Sequence, residues 1–546
     1  MNAFALRSTV LIWAAVAGLG WGGDVPLKSF DWSALNKKAA EEYLQAVRPG
    51  LPGKSPFWNV AAKQFTYAPA FDIEEAQGAA RYKLQATDLA SGKVYVAMQE
   101  KPWAPVVELW RQLPATAVRL EAFAVDEKGD VIKQLSIRGR ETREFCRRPG
   151  FHGPYANPIR SYRECALLSL KRVFEFCKTS KIAETGKADP KIYGYFCYPN
   201  KMLAALMTGM CRYAALVPAE REEALRQARA AGDALIALSA PETAPLAFLP
   251  PTYQGELYSA KGQNAIVQMT EPISAISAYL DVFEATKENR YRDAAMKIVE
   301  TYGRLQLPDG SWYLKINGQT GKPVTMNKLI PESFLPLSHR LEALGCAQAK
   351  TMREKALPWL MEQVVAPFNW EGQFEDVGPS QHYRNLANYQ AIFTARYLLR
   401  HRAENPECRK LAEEMIRYAE DQFVLWDRCS VPENKAKEFK PSVMNGWLLP
   451  LAQEQYGWMQ GINASAATLI FGWLTMYQAT GDELWLAKAS SMGNIMTLSQ
   501  RPSGELPTYW STNGELKDDN WINCEVWATL AMLELAEAYE SWEGKK

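Results

Sequence analysis

Tyr279-Leu-Asp-Val-Phe-Glu-Ala-Thr-Lys-Glu-Asn-Arg-Tyr291 returns in outline as Trp473-Leu-Thr-Met-Tyr-Gln-Ala-Thr-Gly-Asp-Glu-Leu-Trp485. Both stretches open on an aromatic residue and a leucine, reach Ala-Thr at the same place and close on a second aromatic. Ala285 and Ala479 lie 194 residues apart, and so do Pro308-Asp-Gly310 and Pro502-Ser-Gly504. A constant offset means that the match runs without a gap through one helix, a tight turn and the next helix. A fainter third copy runs from Tyr397 to Glu407. The repeating unit is a helix hairpin, which cannot bury its apolar face alone and must stack on others.

The helical period extends from about residue 160 to the C-terminus. Twelve segments carry it, from Arg160–Cys177 to Trp521–Glu543, with Gln263–Ala285, Glu332–Leu344, Ala349–Val365 and His382–Arg400 among them. Their connections alternate in length. Val217-Pro-Ala219, Lys287-Glu288, Gly345-Cys-Ala347, Ala403-Glu-Asn405 and Gly481-Asp482 are tight, whereas 179–200, 239–262, 306–331, 366–381, 424–462 and 499–520 are long. Short-then-long alternation predicts a toroid of six helix hairpins, with the tight turns on one face and the long loops on the other. Long loops in a compact domain are where function is carried. Each of them leads into the first helix of a hairpin. If those first helices form the inner ring, their positive dipole ends and unpaired backbone N–H groups converge on one cleft, which suits an anionic ligand.

The chain before residue 150 has another texture. Ala80–Thr87, Lys93–Met98, Val118–Val125 and Val131–Ile137 alternate in polarity, and Asp126-Glu-Lys-Gly-Asp130 between the last two reads as a hairpin turn. A small β-sandwich over residues 56–140 is the expectation, and on this pattern the segment resembles a fibronectin-type-III module. Residues 24–55 hold one amphipathic helix, Ala34–Val47, and a Pro/Gly linker. At the N-terminus, Arg7 and the apolar run Thr9–Gly20 read as a signal peptide over 1–23 and predict a secreted or periplasmic protein. No later segment reaches transmembrane length. The expected division is thus a leader, a linker, a sandwich over 56–140 and a catalytic toroid over 150–546.

Composition removes several functions. A net charge of +1 over 546 residues, with no basic stripe, gives no footprint for nucleic acid. The nine cysteines form neither a CxxC nor a Cys/His ligand spacing, so no zinc site is implied. Several lie in helix periods as small buried apolar groups, and any disulfide pairing stays open. No HExxH, GxSxG, P-loop or dinucleotide fingerprint is present.

The turn Ala479-Thr-Gly-Asp482, between an aromatic-rich helix and Leu484-Trp-Leu-Ala487, resembles the (α/α)6-toroid carbohydrate-active enzymes. These include polysaccharide lyases, uronate epimerases and unsaturated-glucuronyl hydrolases. The resemblance covers the helical domain and selects no single family. It implies a polysaccharide or oligosaccharide substrate, anionic if a uronate. No cofactor is predicted, and a divalent metal is left open.

Asn369-Trp-Glu-Gly-Gln-Phe-Glu-Asp-Val-Gly-Pro-Ser-Gln-His-Tyr-Arg-Asn-Leu386 is the loop richest in chemistry. Elimination from a uronate needs a base for the C5 proton, donors for the enolate and an acid for the leaving oxygen. The resembling lyases use Tyr and His for the proton transfers. His382, Tyr383, Arg384 and Asn385 supply these types at an expected helix start, where His382 and Asn385 share a face at i, i+3. A tyrosine from another loop, Tyr198 or Tyr456, completes the expected set. Substrate contacts are expected from Asn200, Tyr253, Gln254, Trp312, Trp370, Glu371, Asp376, Arg384, Asn385, Trp510, Trp521 and Asn523. The competing chemistry is hydrolysis by a carboxylate pair, for which Glu375 is the first candidate, with Glu271, Glu371 and Asp376 behind it. A blander reading stands beside each: Tyr198 packs beside Pro199, and the loop acids are solvated charges. A non-catalytic glycan-binding protein is the reading from another class.

Overall fold

The repeated turn is built as its residues dictate. Gly481 closes the helix Asn463–Thr480 in the left-handed region (φ 70°), and the Asp482 carboxylate caps the next helix by accepting the Leu484 N–H at 3.0 Å. In the other copy Lys287 takes the left-handed place at φ 63°. The structure is a computed structural model, and it describes residues 30–48, 57–374, 383–435, 438–439, 448–455, 458–509 and 520–545.

The principal helices are α1 (Trp32–Glu42), α2 (Val107–Gln112), α3 (Tyr162–Ser180), α4 (Pro199–Leu216), α5 (Arg221–Leu238), α6 (Glu271–Thr286) and α7 (Asn289–Leu305). They continue with α8 (Phe334–Ala343), α9 (Ala347–Leu360), α10 (Asn388–His401), α11 (Pro406–Phe423), α12 (Asn463–Thr480), α13 (Glu483–Ser499) and α14 (Ile522–Lys545). Five consecutive hairpins follow from the tight turns: α4–α5, α6–α7, α8–α9, α10–α11 and α12–α13. The sixth is made by the ends of the helical region, because α14 packs along α3. The first helices of the hairpins form the inner ring. α4 packs on α6, α6 on α8, α10 on α12, α12 on α14 and α14 back on α4. Between α8 and α10 the ring closes through side chains, with the His339 and His401 imidazoles stacked at 4.2 Å. This is the toroid that the alternation of loops predicts.

Two helix boundaries differ from expectation. Within Gln263–Ala285 the helix starts only at Glu271, because Ile266–Gln268 pairs as a strand with Lys315–Asn317 from the next long loop. The helix expected from His382 starts at Asn388: Tyr383 and Asn385 sit in the left-handed region (φ 63° and 50°), which no helix continues through.

The N-terminal strands are β1 (Gln64–Phe65), β2 (Arg81–Asp88), β3 (Val94–Gln99), β4 (Ala117–Val125), β5 (Val131–Leu135) and β6 (Arg143–Arg147). They form one sheet in the order β1-β6-β4-β2-β3, with β5 sharing the β6 edge of β4. The expected β4–β5 hairpin is present, its turn closed by the Asp126 N–H on the Asp130 carbonyl at 3.0 Å. The sandwich expectation is corrected. Tyr82, Leu84, Ala86, Leu120 and Ala122 are buried as their alternation requires, but the opposing layer is α2, through Leu109 and Trp110, and the segment 66–76 that follows β1, through Ala68, Phe71 and Ile73. Alternation reports one buried face and says nothing of what covers it. On the other face Val94, Val96 and Met98 stay exposed.

Asp31–Lys546 form one compact unit. Its N-terminal part is joined to the helices by buried polar groups. The Asp421 carboxylate accepts the backbone N–H groups of Thr66 and Tyr67 at 2.6 and 2.8 Å, and burial pushes its pKa to about 7. Lys488 on α13 sits between Glu42 and Glu420 at 2.7 and 2.8 Å. Among the described residues no helix is long and apolar enough to cross a membrane.

Candidate active site

The heads of the inner helices carry a recurrent residue type. α10 and α12 begin with Asn388 and Asn463, and Asn200 and Asn523 are the second residues of α4 and α14. The first residue of α6 is Glu271, and Glu332-Ser333 leads into α8. Three of these side chains donate to backbone carbonyls of neighbouring segments: Asn200 to Glu271, Asn388 to Ser465 and Asn463 to Pro507.

Asn200, fully buried, donates from Nδ2 to the Glu271 carboxylate at 3.0 Å and to its backbone carbonyl at 2.7 Å. Glu332 is 2% exposed; one carboxyl oxygen accepts the Ser333 hydroxyl at 3.3 Å, and the other has no hydrogen-bond partner among the described residues. Burial raises its pKa to about 8, which favours the protonated form near neutral pH. The Tyr389 hydroxyl, in the first turn of α10, lies 3.4 Å from Ser333 Oγ. Burial pushes the Tyr389 phenol up, and the charges of Glu332 and Glu271 push it further. The same three causes act on Tyr302. Ser333 thus links Glu332 to Tyr389 between the heads of α8 and α10.

The loop of Asn369 to Leu386 leads to this cluster. Its two limbs pair, with the Gly372 N–H on the Asn385 carbonyl at 2.7 Å and the Ala387 N–H on the Trp370 carbonyl at 3.2 Å. A Cβ at Gly372 would lie 2.5 Å from the Asn385 oxygen, so only glycine admits this approach. Gly372→Ala is expected to destabilise by about 1–3 kcal/mol, read as a lower melting temperature. Gln373 anchors the loop beside the acid: its side-chain carbonyl accepts the Ile330 N–H at 3.0 Å, and its backbone carbonyl accepts from Gln268. Glu371 accepts from Asn327 at 3.2 Å.

The expected site residues divide as follows. His382, Glu375, Asp376, Tyr456 and Trp510 lie outside the described residues. Tyr383 is buried, its hydroxyl donating to the Pro367 carbonyl at 3.0 Å, and burial raises its pKa. Asn385, left-handed as well, precedes the helix on which the expected face was placed. Arg384 is exposed. Trp312 and Trp370 are core residues with no exposed ring: Trp312 donates to the Tyr302 carbonyl at 2.9 Å, and Trp370 packs edge-on to Phe368. An indole buried on both faces cannot serve a sugar ring, which corrects their expected role.

Tyr198, Tyr253 and Trp521 do come together. The Tyr198 ring is 6.0 Å from Tyr253 and 5.3 Å from Trp521, and its hydroxyl accepts the Ser259 N–H at 3.1 Å. Trp521 also packs on Tyr195 at 4.1 Å, Tyr258 stacks on the same Tyr195 at 4.9 Å, and the Lys201 ammonium lies 5.5 Å from the Trp521 ring centre. Gln254 sits beside them, its backbone N–H on the Cys197 carbonyl at 2.8 Å, and Asn523 in the first turn of α14 holds a buried side-chain oxygen.

The sequence reading singles out neither Glu332 nor Tyr389 for the candidate site. Pro331-Glu-Ser333 before an apolar period reads as an ordinary helix start, and only the packing of two neighbouring helices buries that acid. Among the described residues no cluster of three His, Cys, Asp or Glu could hold a metal.

No family model and no curated protein matches the chain. Solved structures do. A family 76 glycoside hydrolase from a bovine Bacteroides thetaiotaomicron strain is similar at 12% identity, over 85% of this chain and 93% of that one, with a TM-score of 0.47. A D-mannose isomerase is similar at 13% identity, over 67% and 97%, with a TM-score of 0.45. A polysaccharide lyase is similar at 11% identity, over 83% and 60%, with a TM-score of 0.40. The structures that this chain resembles are (α/α)6-toroid carbohydrate-active enzymes of several reaction types, and they single out no family. The likeness is one of helix arrangement.

Proposed function

We propose that the chain is a glycan-degrading enzyme that cleaves glycosidic bonds by hydrolysis at the head of the inner ring. Glu332 protonates the leaving oxygen, and Glu271, oriented by Asn200, is the second carboxylate. One observation carries this reading: Glu332 is 2% exposed with one carboxyl oxygen unpartnered among the described residues, and this burial pushes its pKa up to about 8, the direction a general acid needs. Trp521, half-buried against the Tyr198 and Tyr195 rings, supplies apolar surface for a sugar ring. The buried side-chain oxygens of Asn200, Asn463 and Asn523, without partners among the described residues, suit sugar hydroxyls. Arg7 and the apolar run after it support export of such an enzyme.

β-Elimination on a uronic-acid glycan is the second reading, favoured by Lys201. Its ammonium beside Trp521 and Tyr198 suits a sugar carboxylate. The Ser259 N–H on the Tyr198 hydroxyl would also stabilise that phenol as a base.

The test is product chemistry on neutral glycans and on polyuronates. New reducing ends without ultraviolet absorbance are the expected result. A rise in absorbance from a C4–C5 double bond assigns elimination instead. Binding without either product would overturn both enzyme readings.

A further inference from the structure

Cys146 and Cys429 are 283 residues apart in sequence, and the fold puts their sulfurs 2.9 Å apart. Cys146 lies in β6, opposite Ala117 of β4. Cys429 lies in the long connection between α11 and α12, just beyond the strand Val424–Leu425. Backbone pairing brings that connection to the sheet: the Ala117 N–H donates to the Ser430 carbonyl at 3.1 Å, and the Ser430 N–H donates to the Ala115 carbonyl at 3.0 Å. With Thr116 and Ser430 bridged in parallel, the root of the loop is held in register beside β4 and β6. The two sulfurs meet in an apolar nest with Ala117 and Phe439, packed by Leu89, Ala115 and Val431.

We propose that Cys146 and Cys429 are a modification site, oxidised to a disulfide that ties the N-terminal sheet to the helical ring. The oxidant is another disulfide, small or protein-borne. One cysteine thiolate attacks a sulfur of that oxidant and releases its first thiol. The second cysteine loses its proton and attacks the mixed disulfide, expelling the other thiol. One S–S bond breaks, one forms, and two electrons and two protons leave on the oxidant as two thiols. The link fixes the root of the loop that delivers the head of α12, with Asn463, to the candidate site. It does not depend on which reaction is catalysed there. Elsewhere, burial pushes the thiols of Cys165, Cys177 and Cys211 up to about 12, which leaves them poor nucleophiles for competing exchange.

The test uses the full chain refolded with oxidised glutathione. It is alkylated in denaturant without reductant, digested and analysed by mass spectrometry. The expected result is one peptide pair joining Cys146 to Cys429, separated by dithiothreitol, with the other seven of the nine cysteines alkylated. Alkylation of both Cys146 and Cys429, or either one linked elsewhere, overturns the proposal. Dithiothreitol is further expected to lower the melting temperature of the oxidised protein by about 3–5 °C. Cys429→Ser should not respond; a drop of the same size in that variant would overturn the tying role.

Discussion

Lys488→Met is expected to destabilise the protein by about 3–5 kcal/mol, the magnitude found when one partner of a buried ion pair is removed. Lys488 has no exposed surface, and its ammonium lies 2.7 Å from Glu42 and 2.8 Å from Glu420. Arg417 reaches Glu42 at 3.2 Å, while Tyr67 and Trp426 donate to the same two acids. Methionine keeps most of the volume and leaves two buried carboxylates facing one guanidinium. Burial alone would raise the Glu42 pKa, but Lys488 and Arg417 overcome it and hold that carboxyl below its ordinary value. Burial would likewise lower the Lys488 pKa, and the two carboxylates lift it instead. The sign of the pH dependence follows. A depressed acid contributes stability above its unfolded pKa and loses it as pH falls through the folded one; a raised lysine loses its contribution only as alkaline pH passes its folded value. The wild type should therefore lose this contribution in acid, and the loss in the variant should be smaller at pH 4 than at pH 7. Urea unfolding at both pH values measures it. The double variant Glu42→Gln/Lys488→Met should be less unstable than the two single losses added together. A single-variant loss below about 1 kcal/mol at pH 7 would mean that the network is not a joint.

What could be read in advance depended on whether a signal was local. Apolar periods, Gly481 and Asp482 at a turn, and alternating connection lengths are local or additive, and they predict the ring of hairpins that forms. The partner of a buried strand face is not local, so the alternation in β2 and β4 led to a second sheet where α2 and coil stand. The apolar residues after His382 pointed to a helix six residues before its true start at Asn388. Pairing of Gly372 with Asn385 overrode that tendency, holding Tyr383 and Asn385 left-handed. Tryptophan content was an ambiguous guide for a similar reason: Trp312 and Trp521 look alike in a loop, and only burial separates a core residue from a surface for a sugar. Glu332 and Lys488 lie at the far end of this scale. Each is an ordinary charge in an ordinary helical context, and its meaning arises from what distant segments place around it.

Glu332→Gln is expected to reduce turnover by about 10²–10⁴ while making the folded protein more stable at pH 7.5. The two effects have one origin. With a folded pKa of about 8 against an unfolded value of about 4.3, the carboxyl keeps its proton in the native state where the unfolded chain has lost it. Whatever Glu332 contributes at low pH is lost as pH rises from the unfolded value through the folded one, so stability falls with pH across that window. Glutamine keeps the size, cannot ionise and removes this slope. It also cannot protonate a leaving oxygen, so a general acid at this position explains a loss of turnover that its stability cannot. In the wild type, activity should fall on the alkaline side near pH 8 as the proton leaves. Glycans with an activated aryl leaving group, which need little protonation, should be cleaved by Glu332→Gln far better than natural linkages. The experiment pairs kcat on both substrates with melting temperatures at pH 5 and 7.5. Unchanged turnover in a more stable variant would make Glu332 a buried structural acid and remove it from the chemistry. Lost turnover with no gain in stability would mean that the raised pKa is not what equips it for the role.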